Sequence, residues 1–150
     1  MQNLELIKKI REQTGLSVYE IKNAIEEAKG DKVKALALLK ERQDDIVKVK
    51  SEKKMGAGLV DAYVHSGRVG VLVEVSCQSD FVAKNDLFRQ FVHDIALQVA
   101  SMAPKDVEEL QKQPFIKDES MTVGELIKKH IATIGENIAI KRFIRYEQGR

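Results

Sequence analysis

The chain has 150 residues, enough for one compact domain or a very small module joined to a modest one. With 43% apolar and 32% charged residues it can bury a core and stay soluble, and its net charge of +2 is too near neutral for a dedicated polyanion binder. The single cysteine, Cys77, excludes an internal disulfide framework and fits a reducing cytoplasm; no apolar run approaches a membrane span, and the start carries no signal-peptide core.

The first 42 residues predict three short helices. In the first, Leu4, Ile7 and Ile10 recur at three-residue steps, and Thr14-Gly15 supplies the left-handed stop. Ser17 and Glu20 form a capping box for the second, with Leu16 and Ile21 as its hydrophobic staple. Ile21, Ala24, Ile25 and Ala28 make its apolar stripe before Gly30. Asp31 caps the third, in which Leu36 and Leu39 face inward. Three helices of this size make a very small core, which suits a supporting or tethering module. From Asp44 to Gly58 the periodicity dissolves and Lys48, Lys50, Lys53 and Lys54 crowd a segment that reads as a solvated linker, in part helical. No aromatic residue interleaves these lysines, so a basic arm for RNA is the weaker reading.

After Gly58 the period changes from 3.6 to 2. Val60, Ala62 and Val64 alternate with Asp61, Tyr63 and His65; Ser66-Gly67 marks a turn; Val69, Val71, Val73 and Val75 then share one face of a return strand. A slip of one residue would expose four valines, so the register of this hairpin is well specified. A long helix is predicted from about Asp86 to Met102, with Leu87, Phe91, Ile95, Val99 and Met102 along one side, closed by Pro104. Thr122 and Glu125 open another helix, which Gly135 ends. A last strand has Ile138, Ile140, Ile144 and Tyr146 alternating with Ala139, Lys141, Phe143 and Arg145. This order predicts an α+β layer: a three-stranded antiparallel sheet with helices on one face. Two edges and part of a face stay uncovered, a surface for pairing with a second copy.

The stretch Cys77-Gln78-Ser79-Asp80-Phe81-Val82-Ala83-Lys84-Asn85 puts two adjacent apolar residues where polar turn chemistry is expected. Either Asp80 caps a helical turn and Phe81 folds back over the sheet edge, or the ring beside its carboxylate is a wedge offered to a partner. A nucleophilic Cys77 with His93 or His65 as base has no local support from an oxyanion hole. Gly56-Ala57-Gly58 lacks the spacing and the Lys-Ser/Thr of a phosphate loop. The three histidines have no metal-ligand spacing.

Read together, these segments resemble the bacterial translation elongation factor Ts family, the nucleotide exchange factors of elongation factor Tu, in an unusually short form. REQTGLSVYEIK (residues 11–22) is similar to the family's Thr-Gly signature in a ubiquitin-associated-type three-helix module. YVHSGRVGVLVEVSCQSDFVAKN (63–85) resembles its hairpin and Thr-Asp-Phe-Val loop, with Ser79 in place of threonine. QPFIKD, TVGEL and GENIAIKRFIRYE follow its C-terminal pattern. Val18-Tyr19 replaces a pair that is commonly Met-Met, and Ala103–Gln113 is short where longer members insert further helices.

The resemblance implies a ubiquitin-associated-like module over residues 1–43, a lysine-rich linker over 44–58 and an α+β dimerisation-type core over 59–150. It implies a guanine-nucleotide exchange factor, not an enzyme, with no catalytic residue, no metal and no cofactor of its own. The partner is elongation factor Tu, GDP-bound or nucleotide-free, beside a homodimeric second copy; no membrane and no direct nucleic-acid binding are expected. Ser79, Asp80, Phe81 and Val82 would form the wedge, which acts near the partner's Mg²⁺ and phosphate site. Gly15, Val18 and Tyr19 would form the contact of the N-terminal module. The alternative is an RNA- or protein-binding adaptor of the translation machinery without exchange activity.

Overall fold

The computed structural model describes residues 2–150, with side chains from residue 4 onward. The chain divides into two compact units: one runs up to Glu52 and includes Lys128–Glu136, the other comprises Lys53–Ile127 and Asn137–Arg150.

The first unit holds α1 (Gln2–Thr14), α2 (Val18–Glu27) and α3 (Lys32–Lys50). Ser17 and Glu20 form the reciprocal capping box: Glu20 N donates to Ser17 Oγ at 3.2 Å, and Ser17 N donates to the Glu20 carboxylate at 3.1 Å. Both staple residues, Leu16 and Ile21, are buried, and with Ile7, Ile10, Ala24 and Leu39 they form the core of the unit. Asp31 accepts from Val33 N and Lys34 N to start α3. The third helix runs past residue 42, well into the segment that reads as linker. The physical reason is visible: Gln43 is buried and donates to the Thr14 carbonyl at 2.7 Å, and Ile46 packs on the core. That bond satisfies one of the carbonyls that the end of α1 leaves without a helical partner.

The second unit is the α+β layer. β1 (Ala57–His65), β2 (Val69–Cys77) and β5 (Ile138–Glu147) form an antiparallel sheet in the order β1-β2-β5. Ser66 and Gly67, the central residues of a β-turn that Arg68 N closes by donating to the His65 carbonyl at 2.9 Å, both have positive φ, as a hairpin turn of this hand needs. α4 (Asp80–Ala83) and α5 (Asp86–Met102) follow β2, and α5 lies across β1 and β2. Then come α6 (Val107–Lys112), a small hairpin of β3 (Pro114–Phe115) and β4 (Asp118–Thr122), and α7 (Val123–Ile134), which contributes to both units.

Two expectations are corrected in detail. The buried side of α5 is Phe88, Phe91, Val92, Ile95, Ala96 and Val99, whereas Leu87 and Met102, expected on that side, are exposed. On β5 the alternation does not run unbroken. Glu74 pairs with Arg142 and Val75 with Ile140, so Lys141 has no partner and forms a bulge. The bulge flips the parity: Ile138 and Ile140 are buried, but Ile144 and Tyr146 turn outward. β1 also turns its apolar residues Val60, Ala62 and Val64 outward, while Asp61 and Tyr63 meet His93 of α5.

The sheet needs a glycine at its first crossing. A Cβ on Gly58 would run into the Val75 carbonyl oxygen and come within 2.9 Å of Ser76 Cα. Both obstacles are central-strand backbone, which cannot step aside. Gly58→Ala is therefore expected to lose about 2 kcal/mol of stability in urea unfolding.

Candidate functional site

The site is the corner where β2 hands over to the helices. β2 ends at Cys77, whose side chain is buried and whose Sγ donates to the Ser79 carbonyl at 3.3 Å. Ser79 then caps the four-residue α4, its Oγ accepting from Val82 N at 3.3 Å. Asn85 starts α5 in the same way, its Oδ1 accepting from Leu87 N at 2.8 Å. One turn of helix has no intrinsic stability, so α4 exists because caps and burial hold it. Val82 supplies the burial, with 6% of its surface accessible. Its neighbour Phe81 is 82% exposed, and Asp80 is exposed beside it.

The corner thus brings together Ser79, Asp80, Phe81 and Val82, in two roles. Ser79 and Val82 tie the turn to the sheet; Asp80 and Phe81 face solvent. Of the two readings of Phe81, the ring folded over the sheet edge is not what the chain adopts. A large exposed aromatic next to a buried valine costs solubility and gives the isolated fold nothing in return.

In the helical unit, Val18 and Tyr19 lie exposed at the first turn of α2, Tyr19 at 75%. Gly15 has φ +71, and a Cβ there would meet the Thr133 hydroxyl oxygen and come within 2.6 Å of the Lys129 carbonyl oxygen. Its local work is to let the turn after α1 approach the C-terminal half of α7.

One bond was not anticipated from the sequence, and the expected uncovered sheet face has a make-up that alternation did not give. Asn137, buried before β5, bonds the corner through Gln78; the pairing joins residues 59 positions apart, and no local pattern signals it. The outer sheet face gathers Val60, Val64, Leu72, Ile144 and Tyr146, all exposed, around an Arg142–Glu74 ion pair at 2.9 Å. Its extent depends on the Lys141 bulge.

Two of the histidines are engaged elsewhere. His93 Nδ1 lies 3.1 Å from Asp61 Oδ2, and His65 Nδ1 lies 2.9 Å from the Tyr63 hydroxyl. Among the described residues no group of three His, Cys, Asp or Glu side chains could hold a metal ion, and no helix is long and apolar enough to cross a membrane.

Fold and corner together define an α+β protein that presents an aromatic side chain from a capped strand-to-helix junction. The family model described as "Elongation factor TS" matches residues 78–150, which start at this corner. Elongation factor Ts of Rubrobacter xylanophilus is 39% identical, over 96% of this chain and 97% of that one. Elongation factor Ts of Coprothermobacter proteolyticus is 37% identical over 96% of each chain, and that of Acetivibrio thermocellus 37% over 99% of this chain and 91% of its own. The chain belongs to the elongation factor Ts family and is thereby a translation elongation factor. The alignment with the Rubrobacter protein runs over 190 positions against 150 residues here, so that relative carries residues with no counterpart in this chain.

The adjacent pair separates presentation from anchoring. Phe81→Ala should change unfolding free energy by less than about 0.5 kcal/mol, whereas Val82→Ala should cost about 2 kcal/mol. Chemical denaturation of the two variants beside the parent measures both.

Proposed function

We propose that this protein is the guanine-nucleotide exchange factor of elongation factor Tu, acting in the cytoplasm. The observation that carries the reading is Phe81, exposed to 82% on a corner whose next residue is anchored to 6%. Asp80 and Phe81 enter the nucleotide domain of the partner near its Mg²⁺ and phosphate site. A partner conformation that accepts the ring and carboxylate coordinates the metal and phosphates poorly, so GDP leaves. Linkage makes the effect reciprocal: nucleotide weakens the exchange factor by the same factor, and GTP rebinding releases it. No covalent bond changes in either protein, and the acceleration comes from differential binding.

The helical unit supplies a second grip through Val18 and Tyr19, with Gly15 setting the turn before them. It works as a ubiquitin-associated-like module built on α1–α3, whose last helix extends to Lys50 and leaves only residues 51–56 to lead into β1 of the core. Joining two modest contacts on one chain raises overall affinity without any new contact. The test is release of a fluorescent GDP analogue from elongation factor Tu. Phe81→Ala should slow stimulated release about tenfold or more, the loss typical of a central aromatic anchor. Asp80→Asn should give a smaller loss. Release as fast as with the parent would remove the wedge.

The outer face of the sheet belongs to a second copy of this chain. Exposed Val60, Leu72 and Ile144 lie on adjacent strands, a self-complementary apolar patch suited to a two-fold interface. Light scattering should give a dimer that Leu72→Glu converts to a monomer. A parent chain that stays monomeric at every concentration would rule this assembly out.

A further inference from the structure

We infer that Gln78 and Asn137 form a polar clamp that positions the Asp80–Phe81 wedge, an inference that rests on the exchange reading above. β2 stops pairing at Cys77, opposite Ala57 on one side and Ile138 on the other. One residue later the backbone must leave the sheet, at the point where a projecting corner would fray. Gln78 takes over there. Its Oε1 accepts from the backbone N–H of Asn137 at 2.6 Å, adding one rung after the last residue pair. The buried Asn137 side chain continues the link, its Nδ2 donating to the Lys53 carbonyl at 3.2 Å. Segments leading into β1, out of β2 and into β5 are thereby tied together at the residue that immediately precedes Ser79 and α4 in the chain.

Gln78 precedes Phe81 by three positions, and the intervening Ser79 is fixed by its own cap. The clamp therefore acts through the wedge: it keeps the corner in the geometry that lets Phe81 dock without first ordering a loop. Asn137 and Gln78 are positioning residues in this sense.

A double-mutant cycle with Phe81 tests the assignment. Gln78→Met keeps length and bulk but removes the acceptor, and it should lower the maximal rate of stimulated GDP release about fivefold, the scale of one lost bond to a buried amide. Gln78→Glu, which retains an acceptor oxygen, should restore most of that rate. In a Phe81→Ala background, Gln78→Met should cost less than about twofold more, because the side chain it positions is gone. Equal losses in both backgrounds would mean that the clamp acts on something other than the wedge, and would overturn the inference. Normal exchange by Gln78→Met beside a defective Phe81→Ala would overturn the clamp and leave the wedge standing. Full activity of Phe81→Ala would overturn both. Should Gln78→Met fail to fold, hydrogen exchange in the parent protein decides: the Asn137 amide should be among the slowly exchanging set, and fast exchange there would refute the bond.

Discussion

The exposed ring of Phe81 depends on the burial of Val82. A four-residue helix forms too few internal hydrogen bonds to offset the ordering of its backbone, so α4 must borrow stability from outside. Val82 lends it from the apolar side and the Ser79 cap from the polar side. Adjacent residues on a helix point about 100° apart, so seating Val82 inward commits Phe81 to face away. The chain thus places a large aromatic in water by anchoring its neighbour. The residue that needs burial and the residue left in water are consecutive because a single helical turn allows nothing looser.

Behind the corner stands β2, the central strand. Its inner residues Val71, Val73, Val75 and Cys77 are all buried, and α5, which continues from the corner, lies across the same face. Strand and helix therefore fix the two ends of the segment 78–85. The other end of α5 is held by Arg145, whose guanidinium donates twice to the Ala100 carbonyl, and by the αL residue Ala103. Nearby, fully buried Gln98 donates to Gln113 Oε1 and the Pro114 carbonyl and accepts from Ile116 N. That amide secures the short connection from α6 into β3.

Local chemistry was legible in the sequence; long-range chemistry was not. Ser17 with Glu20, Asp31 and Thr122 each announce a helix start because a cap needs only residues within one turn. The four valines of β2 announce a buried strand for the same reason. The length of α3 was hidden, because it is set by Gln43 reaching a carbonyl 29 residues away. The Lys141 bulge was hidden too, since alternation alone cannot register an unpaired residue, and with it the outward turn of Ile144 and Tyr146. In β1 the polar residues point at α5, since Asp61 finds His93 there; an inward charge on an edge strand also discourages unwanted pairing. At the site, the motif singled out Asp80 and Phe81, but two orientations of the ring fitted the same residues. What decided between them was the burial of Val82, a tertiary fact.

The stiffness of the corner bears directly on what such a wedge can accomplish. Fixing a flexible residue costs about 1–2 kcal/mol of backbone entropy, so ordering the four residues of α4 on contact would absorb roughly 4–8 kcal/mol. Coupling between two ligands on one protein is typically only about 1–3 kcal/mol, and a wedge that spent its contacts on its own ordering would have nothing left to oppose a bound nucleotide. Here that ordering is met during folding, by the Ser79 cap and the buried Val82. In the proposed exchange, contact energy from Phe81 and Asp80 is then free to favour one conformation of the partner over another. A mobile loop of identical sequence would bind the same surface and shift that balance far less.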